Sequence, residues 1–263
     1  MLAECRKRAS NKSFAPRRGI NVKAKIMADD DFDIERLAAY LHVDPVQVAK
    51  LADRGRLPGR KVGGQWRFSP ASIHHWLEER MGLSTDDELK QMETALRRPP
   101  GGMVEAPVSL AAMLPPEAIA TSLAARTRQS VITSMCELAA ETHWLWDWPK
   151  MSEAVRARED LCPTALDNGA ALLHPRRPLP AVLDRPFLAL GRTSRGIPFG
   201  GAHGTLTDVF FLILSIEDRG HLRVLARLSR LLADAKFLAE LREAADARTA
   251  HELVARYETD LPL

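Results

Sequence analysis

Residues 166–178 read LDNGAALLHPRRP. A short apolar run, Gly169 to Leu173, ends at His174, and Pro175, Arg176 and Arg177 follow at once. The run is too short for a helix and is closed by a turn signal, so it reads as a buried strand. It delivers an exposed imidazole to the edge of a sheet, with cationic groups beside it. Alone, a histidine after a strand is an ordinary structural residue, and Arg176 and Arg177 are an ordinary solvated turn.

Further strands follow. Phe187–Arg192 (FLALGR) is one, and GIPFGGAHG is a turn-rich connection with room for a short hairpin strand around Ile197. Thr207–Ile216 (TDVFFLILSI) is almost continuously apolar, as expected of a strand covered on both faces. Helical patterns flank them at Glu117–Ala125, Arg128–Thr142, Met151–Leu161, His221–Leu232, 235–244 and 249–258. Residues 108–263 therefore read as a three-layer α/β/α domain with a mixed sheet. Trp144, Trp146 and Trp148 could form a sugar-stacking platform, but core and hinge packing is the expected use of such aromatics.

Upstream the pattern changes. Residues 83–107 hold a short polar helix, about 86–97, then Arg-Arg-Pro-Pro-Gly-Gly, a strong break. This segment reads as a linker, expected to act as a hinge or flexible tether. Before it, residues 31–82 form a smaller unit. Asp33 caps a helix carrying Ile34, Leu37, Ala38 and Leu41. Asp44 caps a second, with Pro45 at its first position and its end near Arg54-Gly55. Gly63-Gly64 joins two β-prone pieces, Arg60–Val62 and Trp66–Phe68, as a hairpin or wing. Ser69-Pro70 opens a third helix with Ile73, Trp76 and Leu77. Between Lys50 and Arg67 stand six Lys/Arg and one acid, Asp53, a strip suited to phosphate contacts. A protein-interaction module with a solvated basic face would show the same strip. Trp66, Phe68 and Trp76 are expected in the core, and His74 and His75 at the surface or boundary.

The bulk numbers narrow the classes. The net charge of +3 conceals residues 1–27, whose eight Lys/Arg and one Glu give +7 and leave −4 for the remainder. Residues 1–30 read as a basic, disordered leader with no assigned role. No apolar run approaches the length of a membrane span, and Cys5, Cys136 and Cys162 make no metal or redox spacing. A cytoplasmic location, no metal and no cofactor are the expectations.

Residues 31–82 resemble the excisionase-like branch of the MerR-type winged helix-turn-helix family. The match lies in LAAYLHVDPVQVAKLADRGRLPG, KVGGQWRF and SPASIHHWLE. That resemblance implies DNA as a partner. The second helix would enter the groove with Gln47, Lys50 and Arg54, while Arg60, Lys61 and Arg67 would touch phosphates. One such module has a small footprint, so a homodimer through the C-terminal domain is a possible partner arrangement.

Residues 108–263 resemble the phosphotransferase-system enzyme IIA domain of the fructose/mannitol/nitrogen-regulatory class. The ordered pieces are R-E-D-L at Arg158–Leu161, N-G-A-A-L-L-H-P at Asn168–Pro175, F-L-A-L-G-R at Phe187–Arg192, G-I-P-F-G at Gly196–Gly200 and H-L-R-V-L-A-R-L at His221–Leu228. The resemblance implies that His174 accepts a phosphoryl group from the phosphohistidine of an HPr-like carrier, that His221 lies beside it, and that Arg158 holds the phosphate. The family usually carries Pro-His-Gly where this chain has Leu173-His174-Pro175, which removes the backbone N–H after the histidine. Three readings follow: a DNA-binding regulator, a phosphocarrier feeding a separate IIB protein, and a transcription factor whose IIA-like domain senses or dimerises without transfer.

Overall fold

The computed structural model describes residues 31–41, 43–81, 86–97 and 103–261. The basic leader, the Pro-Pro-Gly-Gly break and His42 lie outside these.

The N-terminal unit matches the pattern of its sequence. Helix α1 (Ile34–Leu41) starts with Asp33 Oδ1 accepting from the Arg36 N–H at 2.8 Å. Helix α2 (Pro45–Asp53) starts with Asp44 Oδ1 accepting from the Val46 N–H at 2.7 Å. Each cap satisfies one of the amide donors a first turn leaves open. Strands β1 (Arg60–Val62) and β2 (Gln65–Arg67) pair antiparallel around Gly63-Gly64, both glycines at positive φ. Helix α3 (Pro70–Met81) closes the unit. Leu37, Val48, Phe68 and Ile73 are fully buried at its centre.

Helix α4 (Asp86–Leu96) falls where a polar helix was expected, but it is no loose tether. It packs along α7 (Asp218–Ala233), burying Leu89, Glu93 and Leu96. Four arginines spaced along α7 hold this segment. Arg219 donates twice to the Leu96 carbonyl, Arg223 pairs with Glu105, and Arg227 and Arg230 both reach Glu93. The physical reason for the difference from expectation is this stripe, whose buried guanidinium groups require anionic partners.

The C-terminal sheet runs in the order β3-β5-β6-β4. Its strands are β3 (Ile119–Ala120), β4 (Ala170–Leu173), β5 (Phe187–Pro198) and β6 (Leu206–Leu214). β3 lies parallel to β5, β5 antiparallel to β6, and β4 parallel to β6. The helix expected at Glu117–Ala125 is replaced by a 3₁₀ turn, Pro116–Ala118, and edge strand β3. The neighbour that draws this segment into extended form is Leu190-Gly191 of β5, distant in sequence. β5 is also longer than FLALGR. It bulges after Arg192 and pairs again at Ile197↔Thr207, so the hairpin strand around Ile197 is its continuation.

Helices cover both faces. Against one lie α5 (Arg128–Ala140) and α6 (Trp148–Glu159), meeting Leu173, Phe187, Phe210 and Leu212. Against the other lie α7, α8 (Ala235–Glu243) and α9 (Ala247–Asp260), meeting Leu172, Leu188, Phe211 and Ile213. The alternation of faces along each strand is the two-residue period of β structure. The architecture is thus a winged helix-turn-helix unit and a three-layer α/β domain with a mixed sheet. The second core continues through Leu89 and Leu96 into the core of the N-terminal unit. Of the three tryptophans, Trp144 packs edge-on to Phe187 and Trp146 is largely exposed, so the hinge-and-core expectation holds for the first and not the second. No described helix is long and apolar enough to cross a membrane.

Candidate functional site

Gly169 opens β4 at φ +87, a conformation that side chains disfavour, and the chain turns there into the strand. Asn168 secures the turn. Its amide donates to the Leu232 carbonyl at 2.8 Å, and its Oδ1 accepts from the Ala170 N–H at 3.2 Å. Because β4 and β6 are parallel, with Leu173 opposite Leu212, their carboxyl ends emerge on the same side. His174 follows β4 directly. His221 follows β6 in the opening of α7, where its N–H bonds to the carbonyl of the N-cap residue Glu217 at 3.1 Å. The two rings therefore meet, with centroids 4.8 Å apart. Arg158, near the end of α6, is buried beside them and donates to the Cys162 carbonyl at 2.8 Å. The site thus gathers all three residues expected there. Arg176 and Arg177 are exposed, and His143, His203 and His251 lie elsewhere; His251 Nε2 is 3.0 Å from the Ala111 carbonyl.

Each imidazole has a backbone or hydroxyl neighbour. His174 Nδ1 lies 3.1 Å from the Pro175 carbonyl oxygen, and His221 Nδ1 lies 3.3 Å from Ser215 Oγ. A carbonyl only accepts, so the proton of neutral His174 resides on Nδ1 and Nε2 keeps its lone pair. Proline at 175 removes an N–H from the loop but leaves the carbonyl that sets the tautomer.

Two features depart from expectation. His174 is not exposed; it is 2% accessible. Helix α3 packs against α7 beside it and brings Glu78 into the site. Glu78 Oε1 lies 3.8 Å from His174 Nδ1 and 3.5 Å from His221 Nε2, and its Oε2 lies 3.6 Å from an Arg158 terminal nitrogen. Sequence reasoning misses Glu78, because Glu-Glu-Arg in an amphipathic helix carries no signal. Its own helix supplies a fourth neighbour, His75, at 3.6 Å.

Burial pushes the His174 pKa down to about 3, against the attraction of Glu78 and with help from the charges of His221 and Arg158. Burial alone would raise the Glu78 carboxyl, but its contacts with His221 and His75 outweigh that and hold it far below the usual carboxylate range. The site therefore pairs a neutral His174 with an ionised Glu78.

The donor atoms of Glu78, His174 and His221 all lie within 4.8 Å of one another, a spacing that could hold a metal ion. The wider setting opposes that use. The guanidinium of Arg158 stands beside the carboxylate, and His174 Nδ1 is committed to the Pro175 carbonyl. Arg158 already supplies the cation that the Glu78 carboxylate faces.

Residues 112–257 match the family described as phosphoenolpyruvate-dependent sugar phosphotransferase system, EIIA 2. The chain belongs to the EIIA 2 family. Residues 32–81 match a second family, described as a helix-turn-helix domain. A nitrogen regulatory protein of Bradyrhizobium diazoefficiens is 31% identical over 145 residues, which cover 54% of this chain and 92% of that protein. The fructose-specific EIIABC component of Bacillus subtilis is 27% identical over 134 residues, half of this chain but only 21% of that larger protein. Among solved structures, the nitrogen regulatory protein IIA-Ntr of Neisseria meningitidis superposes with a TM-score of 0.50 at 21% identity. It covers 55% of this chain and 97% of its own, and it supports the fold of the EIIA domain.

On the helix-turn-helix unit, Gln47 and Lys50 are exposed on α2, and Arg54 is exposed at its C-cap. Their spacing of three and four places them on one helix face. Arg60 and Lys61 are exposed on β1. Arg60 pairs with Asp31 at 3.0 Å, and Lys61 lies 3.6 Å from Asp53 and 5.0 Å from the Trp66 ring centroid. Arg67 is half-buried and donates to Gln65 Oε1 and the Trp66 carbonyl. Phe68 is core, whereas Trp66 and Trp76 lie at its margin.

Proposed function

We propose that this EIIA-family protein is a DNA-binding regulator in which residues 31–82 bind DNA and residues 108–263 accept a phosphoryl group on His174 from an HPr-like carrier. The observation that carries this reading is the pairing of neutral His174 with His221 and Arg158, its Nδ1 proton fixed on the Pro175 carbonyl. Phosphoryl transfer asks the protein mainly for position and charge stabilisation. The His174 Nε2 lone pair attacks phosphorus as the P–N bond of the donor phosphohistidine breaks, and that electron pair returns to the donor ring. No proton moves in the step: the His174 ring becomes cationic and its Nδ1–H continues to donate to Pro175. Arg158 and His221 are the groups positioned to meet the transferred oxygens.

On the DNA side, Gln47, Lys50 and Arg54 would read the groove, and Arg60, Lys61 and Arg67 would contact phosphates. His174, His221 and Arg158 are the catalytic set. The resemblance to multi-component transport proteins makes onward transfer to a IIB protein the second reading.

Phosphoenolpyruvate, enzyme I and the cognate HPr should place an acid-labile, base-stable label on the wild-type chain that disappears in His174→Ala. A label that persists in His174→Ala overturns the assignment. Label that then passes to a IIB protein moves the reading from regulator to carrier.

A further inference from the structure

His174 is the proposed acceptor, yet a second protein cannot reach a side chain that is 2% accessible. We propose that Glu78 is an intramolecular occupant of the phosphoryl-binding site, so that docking of the winged helix-turn-helix unit and phosphorylation of His174 exclude each other. This inference rests on the phosphoacceptor reading and adds a regulator to it.

The Glu78 side chain is 3% exposed and stands at the end of α3, on a different folding unit from the histidines. A buried carboxylate is costly unless partners compensate it. The partners here are Arg158 and His221, the two groups that would meet phosphoryl oxygens, together with His174 itself. Glu78 Oε1 stands 3.8 Å from His174 Nδ1, and a phosphoryl group on Nε2 of the same ring brings close to two negative charges and three acceptor oxygens into the same cluster with Arg158 and His221. Arg158 and His221 cannot receive both anions, and two anions at this separation repel strongly in a buried setting. Phosphorylated His174 therefore requires α3 to have left.

Helix α3 does not dock alone. Tyr40 of α1 lies in the field of Asp218, Arg219 and Glu217 at the start of α7, and burial raises its phenol to about 12. Contacts between α3 and α7 and a continuous apolar core complete the interface. Docking covers the phosphoacceptor but leaves Gln47, Lys50, Arg54, Arg60 and Lys61 exposed. The unit can thus present these cationic residues while α3 closes the EIIA site. Coupling of this kind is reciprocal: whatever holds α3 away from the site must favour transfer, and transfer must favour release.

The test uses the full chain as wild type, Glu78→Ala and Glu78→Gln. Diethyl pyrocarbonate, which acylates neutral imidazole, reports access to His174 by peptide mapping and needs no carrier. His174 should react at least about tenfold faster in Glu78→Ala than in wild type, the response of a docking equilibrium that loses its main polar contact. Glu78→Gln keeps the volume and removes the charge, and should fall between them while retaining the wild-type urea midpoint. Initial labelling rates with phosphoenolpyruvate, enzyme I and HPr should rise in the same order. Equal acylation of His174 in all three proteins overturns the occupancy proposal. Faster acylation with equal labelling rates overturns the regulatory part and leaves the phosphoacceptor reading standing. Faster acylation with no label in any of the three overturns the phosphoacceptor reading while Glu78 remains the cover of the site.

Discussion

Among the described residues, two buried glutamates reach the EIIA domain from the N-terminal side of the chain, and they differ in what holds them. Glu93 of α4 meets Arg227 at 2.9 Å and Arg230 besides, and Arg227 is held in turn by Glu258 at 3.1 Å. Glu258 also accepts from the Leu110 and Ala111 N–H groups at 2.6 and 3.0 Å. Glu78 of α3 has His174, His221 and Arg158 at 3.5–3.8 Å and His75 of its own helix at 3.6 Å, three of these four being groups of the phosphoacceptor site. One carboxylate is closed into a network of arginines that serves only structure, and the other sits among groups suited to a larger anion. Helix α4 thus belongs structurally to the EIIA domain, whereas α3 occupies a place that fits another anion.

The widest effect expected is on pH dependence. The folded pKa of His174 is depressed from 6.5 to about 3. Between those values the unfolded chain binds a proton that the folded chain does not. Stability tied to this group is complete above pH 6.5 and is lost as pH falls through the window to about 3. The shift sets an upper bound of about 5 kcal/mol. Facing groups are Glu78 from α3, Arg158 from α6, His221 from α7 and the Pro175 carbonyl. Urea midpoints at pH 7, 5 and 4 should fall less steeply in His174→Asn than in wild type. Parallel slopes would mean that the ring is solvated and that α3 does not cover it.

Stability at neutral pH separates the two glutamates. Glu93→Ala strips a buried anion from two buried guanidinium groups and should cost about 3 kcal/mol, visible as a lower urea midpoint. Glu78→Ala removes a carboxylate from a neutral His174, from His221 and His75, and from an Arg158 that keeps the Cys162 carbonyl, and should cost about 1–2 kcal/mol. A reversed order would make α3 the structural attachment and α4 the dispensable one.

Much of the site is legible in the sequence because its parts are local. Asn168-Gly169 announces a turn, Ala170–Leu173 a strand, and the apolar run through Leu214 its parallel neighbour. The meeting of His174 and His221 follows from β4 and β6 lying side by side. Residues 117–125 mislead because Ala118, Ile119 and Leu123 fit a helix, and only pairing with distant β5 decides for an extended strand. The arginines of α7 stand in plain view at positions 219, 223, 227 and 230, but charged residues opposite a leucine face read as solvated until α4 and α9 cover them. Glu78 carries no local signal, because its meaning comes from Arg158, His174 and His221, 80 or more residues away.

The last effect concerns the face that docking leaves open. Lys50 and Arg54 are exposed on the helix-turn-helix unit. If they contact DNA phosphates, either alanine variant should weaken binding across sequences and lower the slope of log affinity against log salt by about one. If Arg54 reads a base edge instead, Arg54→Ala should relax specificity at one position, at a cost of about 1–3 kcal/mol. In neither case should acylation of His174 change, because these residues belong to α2 and its cap whereas Glu78 belongs to α3. An Arg54→Ala chain with altered access to His174 would show that the cationic face and the docking face are mechanically one surface, and the separation of roles between α2 and α3 would fail.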